Sequence, residues 1–231
     1  MAAPTLIYCA GGNPRFYEIA MAAGFEYGSQ LPETVYGPLH FADQDWKKPN
    51  REAYMAALAE HTPHMASVLD LECEEQLPEV LSWAEEAAAF VAVVMIVPKA
   101  CGIIERLPRR IAGADIRLGY SVPTKFGGTF VPVWEFAGWA VHLLGGSPQK
   151  QKTLTYYLNV ASVDGNMHQK MATRHCRFWV PGNARYASHR WWPALQECDG
   201  EKWGDGSSQA GAPYEAFRRS CENIMKMWKG W

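Results

Sequence analysis

The sequence lacks the features that mark several large classes of protein. It has no run of about 18 apolar residues, so no transmembrane helix and no membrane partner are expected. The first dozen residues carry no basic charge, which argues against a signal peptide. The six cysteines include no CxxC pair, a pattern that argues against a zinc ribbon and for a reducing compartment. These absences predict a cytoplasmic protein.

Common cofactor and catalytic motifs are missing as well. The glycine turn at 9–14 follows a strand-like run but does not form GxGxxG, and there is no P-loop, HExxH or GxSxG. The histidines, cysteines and acids show no metal-ligand spacing. The sequence therefore predicts neither a bound cofactor nor a catalytic metal.

Charge is nearly balanced overall but unevenly distributed. The formal net charge is only −2, so nucleic acid binding would have to come from a local patch. No acid occurs between Asp164 and Glu197, and aromatic residues alternate with cations there. Cations bind phosphates and aromatic faces stack on bases, so this segment is predicted to bind DNA. The predicted DNA-binding residues are Lys170, Arg174, Arg177, Arg185 and Arg190.

Strand-like and helix-like segments alternate along the chain. Strands are predicted at 5–9, 40–42, 65–69, 90–97, 116–121, 140–144, 160–163 and 177–180. Helices are predicted at 14–23, 50–60, 77–88, 148–157 and 214–228. The alternation predicts a single α/β domain over 1–231, a compact (β/α)8 barrel of the TIM type, with an open doubly wound sheet as the alternative. The segment at about 181–213 is predicted to be a surface insertion before the closing helix.

Carboxylates follow three of the predicted strands. Residues directly after the strands of such a barrel line one mouth, and here they include Asp43, Asp70 and Asp164, with Asp45 close by. Glycosidic bond cleavage uses paired carboxylates in this way. The alternative is that each aspartate caps the next helix, because Asp is a favoured N-cap residue. Three aspartates at one mouth favour catalysis.

Two loops after strands expose backbone groups. Gly145 and Gly146 lie between a predicted strand and a helix N-terminus, where N–H groups can hold a phosphate or a base carbonyl. The segment GYSVPT, which begins with Gly119, Tyr120 and Ser121, follows another strand and can present main-chain donors to a flat ligand. Both loops are predicted to contact a nucleobase.

The order of these motifs resembles the tRNA-guanine transglycosylase superfamily. The segments FAD, LDLE, GYSVP, HLLGGSP and SVDG carry the resemblance, which covers residues 39–182. It is closest to the DNA-acting branch, the deazaguanine DNA transglycosylase-like proteins of phages and genomic islands. In that family a barrel holds a nucleobase and an aspartate attacks the anomeric carbon of the sugar.

The resemblance implies roles for individual residues. Asp164 resembles the nucleophile, and Asp43 resembles the aspartate near the anomeric centre. In the implied reaction, Asp43 or Asp45 would activate water or manage the leaving-group proton. Asp70 resembles the residue that reads the base edge. The three-Cys, one-His zinc site of the tRNA enzymes has no counterpart here, and neither has their RNA-binding appendage.

The resemblance therefore implies a DNA glycosylase that removes a modified base from phage DNA, as in antiphage defence. A glucosylated hydroxymethylcytosine is one candidate base, and the base would have to leave the helical stack to react. The first alternative is base exchange, in which a deazaguanine is inserted into DNA. The second is a barrel that binds DNA without catalysis.

Overall fold

The structure is a computed structural model that describes residues 3–9, 13–125, 127–182, 191–199 and 211–230. Eight parallel strands close into a barrel with helices outside, which confirms the predicted (β/α)8 fold. The barrel strands are β1 (Thr5–Cys9), β2 (Glu26–Leu31), β3 (Phe41–Gln44), β4 (Met65–Leu71), β5 (Val93–Pro98), β7 (Ala114–Ser121), β8 (Val141–Leu144) and β9 (Val160–Asp164). The two-residue strand β6 (Arg110–Ile111) pairs antiparallel with β7. Pairing of β1 with β9 closes the ring.

The helices that cover the barrel begin at recognisable caps. They are α1 (Pro14–Ala23), α2 (Arg51–His61), α3 (Leu77–Ala87), α4 (Pro148–Leu154), α5 (Met167–His175), α6 (Leu195–Asp199) and α7 (Ala212–Lys229). Asn50 caps α2, because its side chain accepts the N–H of Ala53 at 3.1 Å. Asn13 and Ser147 cap α1 and α4 in the same way. In the described part of the chain, no helix has both the length and the apolar character needed to cross a membrane.

Three crossovers of the barrel have no α-helix among their described residues. Loops or short 3-10 turns connect β2 to β3, β5 to β7 and β7 to β8. Elsewhere α7 packs against α1 and α5, and so covers the barrel where its first and last strands meet. The predicted closing helix is thus confirmed. Most of the predicted insertion at 181–213 lies outside the described residues.

The structure differs from the sequence prediction at two strands. Residues 177–180 form no strand but an irregular segment under α7, where the Trp179 N–H donates to Ser220 Oγ at 2.9 Å. The strand β2 is not among the predicted ones, because its sequence EYGSQL has no apolar run. Packing explains the glycine in this strand, because a Cβ at Gly28 would lie 2.8 Å from Cys9 Sγ and 2.9 Å from Ile7 Cγ2. The barrel interior needs a glycine at this position.

Two hydrophobic clusters hold the fold together. The larger one fills the layer between the strands and the helices. The smaller one fills the barrel interior and consists of Ile7, Phe41, Met65, Val93, Met95 and Val97. This inner cluster forms an apolar floor below the carboxyl ends of the strands.

Candidate active site

The carboxyl ends of the barrel strands surround a cavity of about 900 Å³. Its size lies within the ~300–1,000 Å³ typical of small-molecule sites. Carboxylates, ammonium groups and backbone-exposing glycines form its wall above an apolar floor. The charged residues of this mouth cavity are Asp43, Asp70, Glu72, Lys99, Lys125, Lys150 and Lys170.

Asp43 is the carboxyl group in this wall that is best suited to proton transfer. It lies on β3, and Ser67 Oγ donates to its Oδ1 at 2.7 Å. Burial raises the pKa of Asp43 to about 7, with the negative charges of Asp164 and Asp70 adding to the effect and the Ser67 hydrogen bond opposing it. A carboxyl group with a pKa near neutrality exchanges its proton readily, as a general acid or base must.

Asp164, at the end of β9, is held as an anion. Its Oδ1 accepts the N–H of Gly145 at 2.8 Å, and its Oδ2 accepts the Cys9 thiol at 3.3 Å. The Nε2 atom of His142 lies 3.8 Å from Oδ1. Burial alone would raise the pKa of Asp164, but His142 and the two hydrogen bonds outweigh it and hold that pKa below its usual value.

The two aspartates face different spaces. Asp164 borders a void of about 20 Å³ behind the Gly145-Gly146 turn, and it is not among the residues that line the mouth cavity. Gly146 lines both spaces. Cys9 lies beside Asp164, and burial together with the charges of Asp164 and Asp43 raises the pKa of its thiol. Cys9 is therefore a neutral hydrogen-bond donor, and Asp164 is a buried anion in the wall.

Asp70 and Lys99 form an ion pair in the mouth cavity. Lys99 Nζ lies 3.3 Å from Asp70 Oδ2, at the ends of β4 and β5. Burial raises the pKa of Asp70, and Lys99 opposes that shift. The pair offers a ligand one acceptor and one donor side by side. The position of Lys99 directly after an apolar strand predicts its place at the mouth, but the sequence assigns it no catalytic or base-binding role.

Besides Asp164, three of the predicted catalytic and base-binding residues do not line the mouth cavity. Asp45 Oδ1 accepts the N–H of Lys47 at 3.0 Å, so its carboxylate closes a turn after β3. Tyr120 points out of the barrel, where its ring packs edge-on against Phe136 with centroids 5.1 Å apart. Gly119 lies inside the barrel at the floor. In contrast, Ser121, Gly145 and Gly146 line the cavity as predicted.

Gly119 shapes the floor through packing. A Cβ at this position would lie 2.7 Å from Val97 Cγ2 and 3.0 Å from Leu144 Cδ1. We expect Gly119→Ala to lower the free energy of unfolding by about 1–3 kcal/mol, because overpacking strains a filled interior. Urea titration measures this loss. Ser121→Ala, two residues along the same strand, is the control, and an equal loss in both would contradict the packing role.

Three aromatic side chains among the described residues of the segment predicted to bind DNA are buried. Phe178 and Trp179 belong to the hydrophobic core, and His168 stacks on Phe217 with ring centroids 5.1 Å apart. Burial lowers the pKa of His168 to about 4, so this histidine is neutral. These three side chains pack the protein interior and are not an exposed stacking surface.

The predicted DNA-binding cations have different environments. Lys170 lines the mouth cavity, and Arg174 is exposed one turn further along α5. Arg177 is engaged within the protein, because it pairs with Glu197 at 3.6 Å and donates to the Trp192 carbonyl at 2.7 Å. Arg185 and Arg190 lie outside the described residues.

Exposed aromatic side chains lie near the mouth instead. Trp46 lines the cavity with 66% of its surface exposed, and the Lys47 ammonium lies 5.2 Å from its ring centroid. Phe130, 92% exposed, follows the cavity-lining Gly127-Gly128 pair. Sequence reasoning missed this grouping because its residues are far apart in the chain. In the part of the chain that the structure describes, no cluster of His, Cys, Asp and Glu has the arrangement of a metal site.

The fold and the site define a parallel eight-stranded barrel with a charged cavity at the carboxyl ends of its strands. The chain belongs to DUF6610, described as a family of unknown function, whose sequence profile matches residues 17–229. No curated protein is significantly similar to it. Among solved structures it is similar to a monomeric form of the dimeric phosphoribosylanthranilate isomerase from Thermotoga maritima, with 11% identity, a TM-score of 0.38 and coverage of 99% of this chain and 100% of that one.

Proposed function

We propose that this protein is a DNA glycosylase that hydrolyses the N-glycosidic bond of a modified base. The observation that carries the proposal is Asp43, a carboxyl group with a pKa of about 7 in the wall of the mouth cavity. Asp164 is held anionic close enough to raise that pKa. Two carboxyl groups in opposite protonation states are the arrangement on which glycosidic cleavage depends.

Each carboxyl group has a step in this reaction. The bond between C1′ and the base nitrogen breaks with its electron pair moving to the base, and protonated Asp43 supplies the proton that the leaving base takes up. Water then adds to C1′ and returns a proton to the Asp43 carboxylate. The Asp164 anion stabilises the positive charge that develops on the sugar. Because Asp164 does not line the mouth cavity, we assign it an electrostatic role and not a covalent one.

The Asp70–Lys99 pair is proposed to hold the base. A carboxylate accepts N–H groups, and an ammonium group donates to carbonyl or ring nitrogen atoms. Bases present both kinds of group along one edge. The pair can therefore orient a flipped base while the apolar floor packs against its face.

The DNA strand is proposed to cross the mouth. A base inside a duplex is inaccessible, so it must leave the stack and enter the cavity. Lys150 and Lys170 would contact flanking phosphates, and Trp46 would stack on a neighbouring base. This location shares Lys170 with the segment predicted from the sequence to bind DNA.

The function is tested by base release. The protein is incubated with phage DNA that carries glucosylated hydroxymethylcytosine, hydroxymethylcytosine or unmodified cytosine, and released bases and abasic sites are measured by mass spectrometry. Release from one modified DNA supports the proposal. No release and no abasic sites from any of the three would contradict it. Uptake of an added deazaguanine into the DNA would indicate base exchange instead.

DNA affinity should depend on the lysines of the mouth. We expect Lys150→Gln combined with Lys170→Gln to make the plot of log affinity against log salt shallower by about 1.5, at ~0.7–0.9 per phosphate contact. Fluorescence anisotropy with labelled DNA at several salt concentrations measures this slope. Arg174→Gln, one turn further along α5, is the matched control. An unchanged slope in the double variant would place the DNA elsewhere.

A further inference from the structure

A polar chain of side chains runs through the barrel interior below Asp164. TIM barrel interiors are filled mainly by branched apolar residues, so buried polar groups there need a reason. His142 on β8 and Ser162 on β9 have no exposed surface, and His142 Nδ1 lies 2.7 Å from Ser162 Oγ. Arg117 on β7 donates from one terminal guanidinium nitrogen to the same Oγ at 3.0 Å.

The direction of these hydrogen bonds follows from their chemistry. A guanidinium group only donates, so the Ser162 oxygen accepts from Arg117. The Ser162 hydroxyl can donate its proton to Nδ1 of His142 or accept one from it. The Asp164 carboxylate, 3.8 Å from Nε2, favours the first arrangement, because a carboxylate attracts a protonated nitrogen and repels a lone pair. Neutral His142 therefore carries its proton on Nε2, since the partner of one ring nitrogen decides the state of the other.

The Nε2 atom of His142 lies beside the Asp164 carboxylate. His142 Nε2 is buried, has no hydrogen-bond partner among the described residues, and lies 3.8 Å from Asp164 Oδ1. The Phe41 ring packs beside the imidazole, with centroids 5.2 Å apart, and limits its rotation. The other titratable groups that act on these side chains are Cys9 and Asp43 on the mouth side and Arg117 and His40 on the lower side.

We infer that His142 is a positioning residue that keeps Asp164 anionic, so that Asp43 holds the proton of the site, and that Ser162 and Arg117 fix its tautomer. Two carboxyl groups that repel each other favour one shared proton, and their surroundings decide which of them carries it. Here a directed N–H favours the anion at Asp164. The role of Asp43 in catalysis rests on the proposed function. The tautomer of His142 and the distribution of charge between Asp43 and Asp164 do not.

The unmodified protein provides the first test. Long-range ¹H–¹⁵N correlation spectra of protein labelled with ¹⁵N-histidine report which ring nitrogen of His142 carries the proton. We expect a protonated Nε2 and an unprotonated Nδ1 at neutral pH. A proton on Nδ1 would overturn the inference.

A variant that lacks the hydrogen bond between Ser162 and His142 provides the second test. In protein labelled with ¹³C at the aspartate carboxyl groups, Ser162→Ala should shift the titration of Asp164 to higher pH, because His142 is no longer fixed. Ser29→Ala, an equally buried serine on β2, is the matched control and should leave that titration unchanged. No shift with Ser162→Ala, or an equal shift with both, would overturn the inference. Neither measurement uses a substrate, so failure here is distinct from failure of the glycosylase assay.

Discussion

Replacing Asp43 by asparagine is expected to reduce base release by about 10²–10⁴-fold, the contribution typical of a positioned acid or base. The amide keeps the shape of the side chain and can still accept the Ser67 hydrogen bond, but it cannot carry the proton that the leaving base needs. Single-turnover release of the base, measured with protein in excess over DNA, reports this step directly.

The same variant should be more stable than the parent protein above pH 7. Burial raises the pKa of folded Asp43 to about 7, above its value in the unfolded chain. The folded state therefore binds this proton more tightly, and the resulting stability is lost as the pH rises from about 4 to about 7, by up to about 1.4 kcal/mol per pH unit. The Asp43→Asn variant would have no such loss. Urea titrations at pH 5 and pH 8 measure the difference.

Asp45→Asn is the matched control for both measurements. It makes the same change two residues along the chain, where the carboxylate only accepts the N–H of Lys47. We expect near-normal base release and little change in stability, because the amide oxygen can still accept that N–H. If the two variants lose base release equally, Asp43 is not the proton carrier.

Replacing Asp164 by alanine is expected to damage both stability and activity. The substitution leaves the Gly145 N–H and the Cys9 thiol without their acceptor, and it removes the carboxylate beside His142 Nε2. Unpaired buried donors cost about 1–3 kcal/mol each, and partial relaxation brings the expected loss to about 2–4 kcal/mol. Thermal and urea unfolding measure this loss, and base release should fall to background.

Asp164→Asn separates charge from packing. Asparagine keeps one acceptor oxygen, so the Asp164→Asn variant should lose less stability than the Asp164→Ala variant. Base release should still be lost, because the negative charge is absent. The low pKa of Asp164 stabilises the folded state above the unfolded pKa, and this stability is lost as the pH falls through the folded pKa. Both variants should therefore lose less stability on acidification than the parent. Near-normal release by Asp164→Asn would contradict the role of the anion.

The sequence is sufficient to predict the fold and the strand-end carboxylates. Parallel strands present their carboxyl ends to one mouth, so Asp43 and Asp70 could be assigned to it from their positions alone. The same rule places Asp164 near the mouth but does not say which way its side chain turns. That orientation depends on Cys9 and Gly145, which contact it from distant parts of the chain.

The proposed DNA contact shows why the other residues around the mouth could not be predicted. His168, Phe178 and Trp179 have the composition of a nucleic acid surface, yet packing against α7 buries them. A window of sequence cannot show which face of a segment is covered. Conversely, Trp46, Lys150 and Lys170 share a cavity only because the barrel closes, and His142 gains its importance only from Ser162 on a neighbouring strand.

The closure of the barrel has a consequence for how the protein folds. Cys9 and Asp164 are 155 residues apart and lie on the strands β1 and β9 that complete the ring. Contacts between such distant residues form slowly, because a long loop must close before they are made. The environment of the Asp164 anion thus depends on the pairing of β1 with β9, one of the least local contacts in the molecule. The Cys9 thiol should react with a labelling reagent when this seam opens, so the labelling rate reports on the integrity of the site while most helices remain folded.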